Sequence, residues 1–120
     1  MFNIKDAILA ADINEDLIED DSIEGTDHFY VYLDNGLVLS VLRGQHPNGQ
    51  YFGTPETGTA EVGVLKVTFA GLRPYNSQDT TTVRQDLDAD GLTAVVKEFD
   101  AYPPLSFDEI LEGAAQVLGL

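Results

Sequence analysis

The first hydrophobic pattern along the chain is helical. Asn3, a residue favoured at helix N-caps, precedes apolar residues at i, i+3, i+4 and i+7, namely Ile4, Ala7, Ile8 and Ala11. This spacing predicts a short amphipathic helix over residues 4–11. The following residues, 12–27, carry eight acidic side chains and few large apolar ones. We interpret this segment as either a second helix or an ordered acidic loop.

The clearest strand pattern is HFYVYLDNGLVLSVLRG, residues 28–44. Two runs rich in β-branched and aromatic residues flank Asn35-Gly36, which is typical of a two-residue type I′ turn, so we predict a hairpin over residues 28–43. Such a turn would place Leu33 opposite Val38 and Tyr32 opposite Leu39. Because neither face is fully polar, we expect one face to be covered and the other to be partly covered or used for binding.

The rest of the chain predicts further short elements. Residues 45–60 are rich in Gly and Pro and form either a long loop or a hairpin around Asn48-Gly49. A strand is predicted over residues 61–69, with Val62 and Val64 on one face and Leu65 and Val67 on the other. A short strand is expected over residues 80–83.

Two C-terminal helices complete the predicted elements. Leu92, Val95, Val96 and Phe99 have helical spacing and predict a helix over about residues 91–101. Ser106-Phe-Asp-Glu109 has the pattern of a capping box at the start of a second helix. The apolar stripe of this last helix comprises Phe107, Ile110, Leu111, Ala114 and Leu118.

These elements predict one α+β domain over residues 1–120. A small, mostly antiparallel sheet, made of the hairpin 28–43 and the strand 61–69, would pack against N-terminal and C-terminal helices. A chain of 120 residues is long enough to bury such a core without disulfides.

The charge of the chain is strongly negative. It has 21 Asp and Glu residues but only 6 Lys and Arg residues, which gives a formal net charge of −15. Such a field repels nucleic acids and anionic lipids and attracts basic protein surfaces or cations, so we expect no direct nucleic-acid or membrane binding. The absence of cysteine excludes disulfides and Cys-ligated metal sites. With no export signal or membrane-spanning segment visible, we expect a cytoplasmic protein.

Asp86-Leu-Asp88-Ala-Asp90-Gly91 resembles the start of a calcium-binding loop. Asp86, Asp88, Asp90 and Gly91 match loop positions 1, 3, 5 and 6, but position 12, where a bidentate Glu is needed, is Lys97. A simpler interpretation, which needs no further ligand, is that Asp90 caps the next helix and that Asp86 and Asp88 lie near its positive end. A calcium site on these three residues remains the alternative, and no other cofactor is expected.

No catalytic motif is evident in the sequence. His28 and His46 are the only histidines and have no metal-binding spacing, and Ser40 and Ser106 lack the sequence of a nucleophile elbow. We therefore predict that the chain is not an enzyme. An active site could be assembled only from distant carboxylates such as Glu56 and Glu61.

The acidic N-terminal segment is the main candidate for a binding surface. If it were helical, Asp12, Asp16 and Asp20 would lie on one line with charges about 5–6 Å apart, similar to the phosphates of a nucleic-acid strand. The alternative is a solvated acidic face that increases solubility. Exposed aromatic side chains would supply the anchors of a protein interface. The candidate partner-binding residues are Asp12, Glu15, Asp16, Glu19, Asp20, Asp21, Tyr30, Tyr32, Tyr51 and Phe52.

Part of the sequence resembles small, mostly uncharacterised bacteriophage proteins. The resemblance lies in Asn35-Gly36, Ser40-Val41, Arg43-Gly44, Tyr51, Gly53 and the run Glu61–Leu65. It implies a viral origin, a location in the host cytoplasm and a protein that occupies a basic site on a host enzyme. It implies no catalytic residues, and it accounts for neither the acidic N-terminal segment nor the Asp86–Gly91 turn.

The function predicted from these features is that of a non-enzymatic acidic protein that binds and blocks a basic surface of a host protein, as a nucleic-acid mimic or an inhibitor of host defence. The alternative is a structural or assembly protein. That protein would form a homo-oligomer, such as a dimer, through apolar hairpin residues Leu37, Leu39 and Val41.

Overall fold

The computed structural model describes residues 1–54, 56–75 and 83–111. These residues form three α-helices, one short 3-10 turn and seven β-strands. The helices are α1 (Ile4–Leu9), α2 (Ala89–Asp100) and α3 (Phe107–Ile110), and the 3-10 turn is Glu15–Leu17. The strands are β1 (Ile18–Asp20), β2 (Thr26–Tyr32), β3 (Leu37–Gln45), β4 (Tyr51–Phe52), β5 (Ala60–Thr68), β6 (Gly71–Pro74) and β7 (Val83–Leu87).

All seven strands belong to one antiparallel sheet. The central order is β1-β2-β3-β5-β6, and β4 pairs with the end of β3. Both β6 and β7 pair with β5 but with different halves of it, so they follow one another along the same edge. The predicted α+β fold with a mostly antiparallel sheet is confirmed.

One face of the sheet, which we call the core face, is covered by helices α1 and α2. The hydroxyl of Thr93 in α2 donates a hydrogen bond of 2.7 Å to the backbone oxygen of Ala7 in α1. The predicted apolar positions of both helices are buried against the aliphatic side chains of β2, β3 and β5. The core includes Ile4, Ala7, Ile8, Val31, Leu37, Leu39, Val41, Val62, Val64, Leu92, Val95, Val96 and Phe99.

The β2–β3 hairpin has a different turn from the predicted one. The N–H of Leu33 donates to the oxygen of Leu37, and the N–H of Gly36 donates to the oxygen of Leu33, so the loop has three residues. Gly36 has a φ of +91°, which is typical of a type I turn followed by a left-handed residue. The predicted register is therefore wrong by one residue: Tyr32 lies opposite Val38 and Val31 opposite Leu39.

The Asn48-Gly49 turn, one of the two options for residues 45–60, repeats this geometry. The N–H of His46 donates to the oxygen of Gln50, and Gly49 has a φ of +93°. In each turn the side chain of the asparagine accepts a hydrogen bond from the backbone N–H two residues later, at Leu37 or Gln50. The same local sequence thus forms the same turn twice, because the asparagine side chain satisfies an amide that the loop leaves unpaired.

The acidic segment is neither one helix nor one loop. Only Glu15–Leu17 form a 3-10 turn, capped by Asn14, and Ile18–Asp20 then add an edge strand beside β2. The helical line through Asp12, Asp16 and Asp20 does not exist, so its phosphate-like spacing does not apply. A helix would have placed like charges four residues apart, which opposes helix formation.

The other predicted elements agree with the structure in part. Asn3 caps α1 and the Ser106–Glu109 capping box is present at α3. Ala114 and Leu118, and residues 80–82 of the predicted strand 80–83, lie outside the described residues. No helix in the described ranges is long and apolar enough to cross a membrane.

Candidate functional site

The face of the sheet opposite the core, which we call the outer face, carries the candidate site. Since side chains alternate along a strand, Glu19, His28, Tyr30 and Tyr32 project to this face, opposite to the buried side chain of Val31. Asp21 directly follows β1, and its carboxylate lies beside His28 on the same face. On β3 the same face presents Val38, Ser40 and Leu42. It also carries the apolar side chains of Val67, Leu72 and Val83, which are 44%, 41% and 43% exposed.

Acidic and aromatic side chains are in direct contact on this face. The hydroxyl of Tyr32 donates a hydrogen bond of 2.6 Å to Oε2 of Glu19. This hydrogen bond, with a smaller contribution from burial, raises the pKa of Tyr32 to about 12. Burial and the nearby carboxylates of Asp21 and Glu19 also raise the pKa of Tyr30. The rings of Tyr30 and Tyr32 lie 6.3 Å apart, so carboxylates and aromatic rings form one continuous surface.

His28 connects this surface to β3. Its Nε2 lies 2.9 Å from Oγ of Ser40, and its Nδ1 lies 3.9 Å from Oδ2 of Asp21. The ring centroid of His28 is 4.5 Å from that of Tyr30. The histidine is thus held on three sides by residues from β2, β3 and the end of β1.

Ser40, His28 and Asp21 have the composition of a Ser-His-Asp triad, but the geometry does not favour catalysis. A distance of 3.9 Å between His28 and Asp21 is longer than a hydrogen bond. Ser40 lies in the middle of β3 with β2 and β5 on either side, so its backbone N–H belongs to the sheet and cannot stabilise an oxyanion. The arrangement fixes the orientation of the His28 ring.

A cleft of about 330 Å³ opens at one end of the outer face. It lies between the segment after β1, the start of β2, the end of β3 and strand β4. It is lined by Asp21, Ile23, Thr26, His28, Leu42, His46 and Phe52. Both histidines of the chain therefore contribute to the same cleft, together with one carboxylate and one phenyl ring.

The structure brings together only part of the predicted binding residues. Glu19, Asp21, Tyr30, Tyr32 and Phe52 lie on or beside the outer face. The other predicted residues lie elsewhere: Asp12 and Asp16 precede β1, Glu15 forms an ion pair of 2.7 Å with Lys5, Asp20 projects to the core side of β1, and Tyr51 projects to the opposite side of β4 from Phe52.

The Asp86–Gly91 segment serves the start of α2. Asp88, not Asp90 as predicted, is the N-cap, and its Oδ1 accepts a hydrogen bond of 2.7 Å from the N–H of Gly91. The carboxylate of Asp86 accepts a hydrogen bond from the hydroxyl of Thr54. Asp90 is exposed in the first helical turn. Within the described residues no group of three His, Cys, Asp or Glu side chains is arranged to hold a metal ion.

Two features of the site were missed from the sequence. These are the contact of His28 with Ser40 and the presence of His28 and His46 in one cleft. Both depend on the register of β2 and β3, and the predicted register is wrong by one residue. A three-residue loop ending in Gly36 would have placed Tyr30 opposite Ser40 and indicated the diagonal pair with His28.

Comparisons with family models, with curated proteins and with solved structures find no match to this chain.

Proposed function

We propose that this chain is a non-enzymatic acidic protein that binds a basic surface of another protein and blocks it. The observation that carries the proposal is the position of Glu19 and Asp21, which project to the same face as Tyr30 and Tyr32. Carboxylates on this face attract a basic surface, and the tyrosine rings provide contact area that loses its water on binding.

The charge on this face is not neutralised by a described lysine or arginine side chain. Glu19 accepts its hydrogen bond from the neutral phenol of Tyr32, which orients the carboxylate and leaves its charge in place. Asp21 has a side chain that is 62% exposed and faces His28. In contrast, Glu15 is paired with Lys5, so it contributes less to the attraction of a partner.

The bacteriophage resemblance adds the proposal that the partner belongs to a host cell. Enzymes that handle nucleic acids have basic surfaces, and a chain with a net charge of −15 would be attracted to them. Glu19 and Asp21 on the outer face supply the negative charges, so no helix with phosphate-like spacing is needed.

The experiment is to identify a basic partner by cross-linking in host lysate and to measure its affinity for variants of the chain. We expect Glu19→Gln combined with Tyr30→Leu to weaken binding about tenfold or more, since a charged contact and an aromatic anchor are lost. The control is Asp12→Asn combined with Asp16→Asn, which also lowers the negative charge but lies outside the outer face. Equal effects of the two double variants would show that the outer face is not the binding surface.

Self-association is the second candidate function, favoured by the exposed apolar side chains of Val67, Leu72 and Val83. The predicted oligomer surface of Leu37, Leu39 and Val41 is wrong, because these residues are at most 1% exposed and belong to the core. Light scattering decides between the candidates: a stable dimer that Val83→Asp dissociates would favour self-association.

A further inference from the structure

The cleft at the end of the outer face has a composition suited to a planar cation. Its lining combines one carboxylate, that of Asp21, with three rings, those of His28, His46 and Phe52. Ile23 and Leu42 supply apolar walls for an aliphatic stem. Its volume of about 330 Å³ is within the range of small-ligand pockets and is large enough for one long side chain.

The hydrogen bonds of the histidines leave Asp21 available to a ligand. Nε2 of His28 is engaged with Ser40, and Nδ1 of His46 accepts a hydrogen bond of 3.2 Å from the backbone N–H of Asn48. Both rings are therefore held by the protein. The 3.9 Å between Asp21 and His28 leaves the carboxylate oxygens free of a hydrogen bond to the imidazole.

A guanidinium group fits this environment better than an ammonium group. Guanidinium is planar, is weakly hydrated, stacks on aromatic rings and donates two parallel hydrogen bonds to one carboxylate. An ammonium ion is strongly hydrated and gains less from the rings of His28 and Phe52. We propose that the cleft receives one arginine side chain of the basic partner, with Asp21 binding the guanidinium and Phe52 stacking on it. This inference rests on the proposed function and specifies the chemistry of its anchor.

Alternation along the strands provides two matched controls. Asp20 is adjacent to Asp21 but projects to the other side of β1, and Tyr51 is adjacent to Phe52 but projects to the other side of β4. Asp20→Asn removes the same charge as Asp21→Asn, and Tyr51→Leu removes a ring as Phe52→Leu does. Each control therefore tests for general effects of charge or of lost aromatic area.

The test uses three short acetylated and amidated peptides, Gly-Arg-Gly, Gly-Lys-Gly and Gly-citrulline-Gly, titrated into the full chain at low ionic strength. Binding is followed by NMR shifts of the amides of His28, Leu42 and Phe52. We expect the arginine peptide to bind with a Kd in the order of millimolar and several-fold more tightly than the lysine peptide. The uncharged citrulline peptide should cause no saturable shift.

The variants give the decisive results. Asp21→Asn should weaken the binding of the arginine peptide about tenfold, and Asp20→Asn should change its affinity by less than about twofold. Phe52→Leu should remove the preference for arginine over lysine, and Tyr51→Leu should preserve it. Equal binding of arginine and lysine peptides, or equal effects of Asp21→Asn and Asp20→Asn, would overturn the inference.

The failure of this inference can be separated from the failure of the proposed function. If partner binding depends on Glu19 and Tyr30 but Asp21→Asn leaves the affinity for the arginine peptide unchanged, the outer face remains the binding surface and the arginine cleft is rejected. If the peptide binds as expected but partner affinity is unchanged by Glu19→Gln with Tyr30→Leu, the cleft stands as a guanidinium site and the proposed function is rejected.

Discussion

Asn35 connects the β2–β3 turn to helix α2, and its substitution tests the packing of the fold. Its Oδ1 accepts a hydrogen bond of 3.0 Å from the N–H of Leu37 within the turn. Its Nδ2 donates to the backbone oxygens of Phe99 at 2.7 Å and Tyr102 at 3.1 Å, at the end of α2. The side chain thus links the turn to two carbonyl groups at and just beyond the C-terminus of α2, and the oxygen of Phe99 also accepts a hydrogen bond from the N–H of Tyr102.

The loss expected from Asn35→Ala follows from these contacts. Each hydrogen bond contributes about 1 kcal/mol net, and three are removed at a residue that is only 8% exposed, so we expect a loss of about 2 to 4 kcal/mol. Asn35→Asp preserves the turn acceptor but places a carboxylate against the carbonyl oxygens of Phe99 and Tyr102. We expect Asn35→Asp to be at least as destabilising as Asn35→Ala at neutral pH, because its charge is partly buried and is repelled by the negative end of the helix.

Asn48 provides the matched control. It occupies the same position in the same type of turn, and its Oδ1 accepts a hydrogen bond of 2.9 Å from the N–H of Gln50, but the residue is exposed. Asn48→Asp should therefore cost less than about 0.5 kcal/mol. Because the chain lacks tryptophan, urea unfolding is followed by far-ultraviolet circular dichroism and tyrosine fluorescence.

The two aspartate variants differ in one respect, the contact of residue 35 with α2. Protonation of the introduced carboxyl at position 35 restores one donor, so Asn35→Asp should regain stability relative to Asn48→Asp as the pH falls towards 4. If the two variants lose equal free energy of unfolding at neutral pH, the contact of Asn35 with α2 does not stabilise the fold and the argument fails.

Two further predictions concern single hydrogen bonds. Glu19→Gln should lower the pKa of Tyr32 from about 12 towards its ordinary value, because the negative charge that favours the protonated phenol is removed. The change is measured by the ultraviolet absorbance of tyrosinate. An unchanged titration curve would contradict the role of Glu19. Asp88→Ala removes the N-cap of α2 and should cost about 1 kcal/mol in urea unfolding, whereas Asp90→Ala, which leaves the cap in place, should cost less; the reverse order would show that Asp90 is the cap.

Much of the fold could be predicted because its signals are local. Helix α1 and the first turn of α3 follow from capping residues and apolar spacing, and the Asn-Gly pairs mark both hairpin turns. The register of β2 and β3 was mispredicted because Asn-Gly occurs in both two-residue and three-residue loops. The exposed Asn48-Gly49 turn also has three loop residues, so the loop type is set locally, and Asn35 adds hydrogen bonds to the end of α2, more than sixty residues away in the chain.

The candidate site could be predicted less well, because it depends on pairing between strands. The acidic segment has no strand signature of its own, and Ile18–Asp20 become a strand only because β2 offers a free edge. Alternation on that edge then separates Asp20 from Glu19 and Asp21. The number of acids was therefore visible in the sequence, but the face to which each of them projects was not.

The net charge has opposite effects on the two candidate functions, whereas the exposed apolar side chains favour both. Exposed apolar side chains such as Val67, Leu72 and Val83 favour association with any complementary surface, including a second copy of the chain. A charge of −15 on each copy opposes self-association but favours a basic partner, so charge selects the basic partner over a second copy of the chain.

Salt at about 0.1 M reduces the Debye length to about 10 Å and weakens both electrostatic effects. Partner affinity should then fall as salt rises while any self-association increases, and light scattering together with binding measurements over a salt series would test this. If both respond in the same direction, charge does not control the choice of partner.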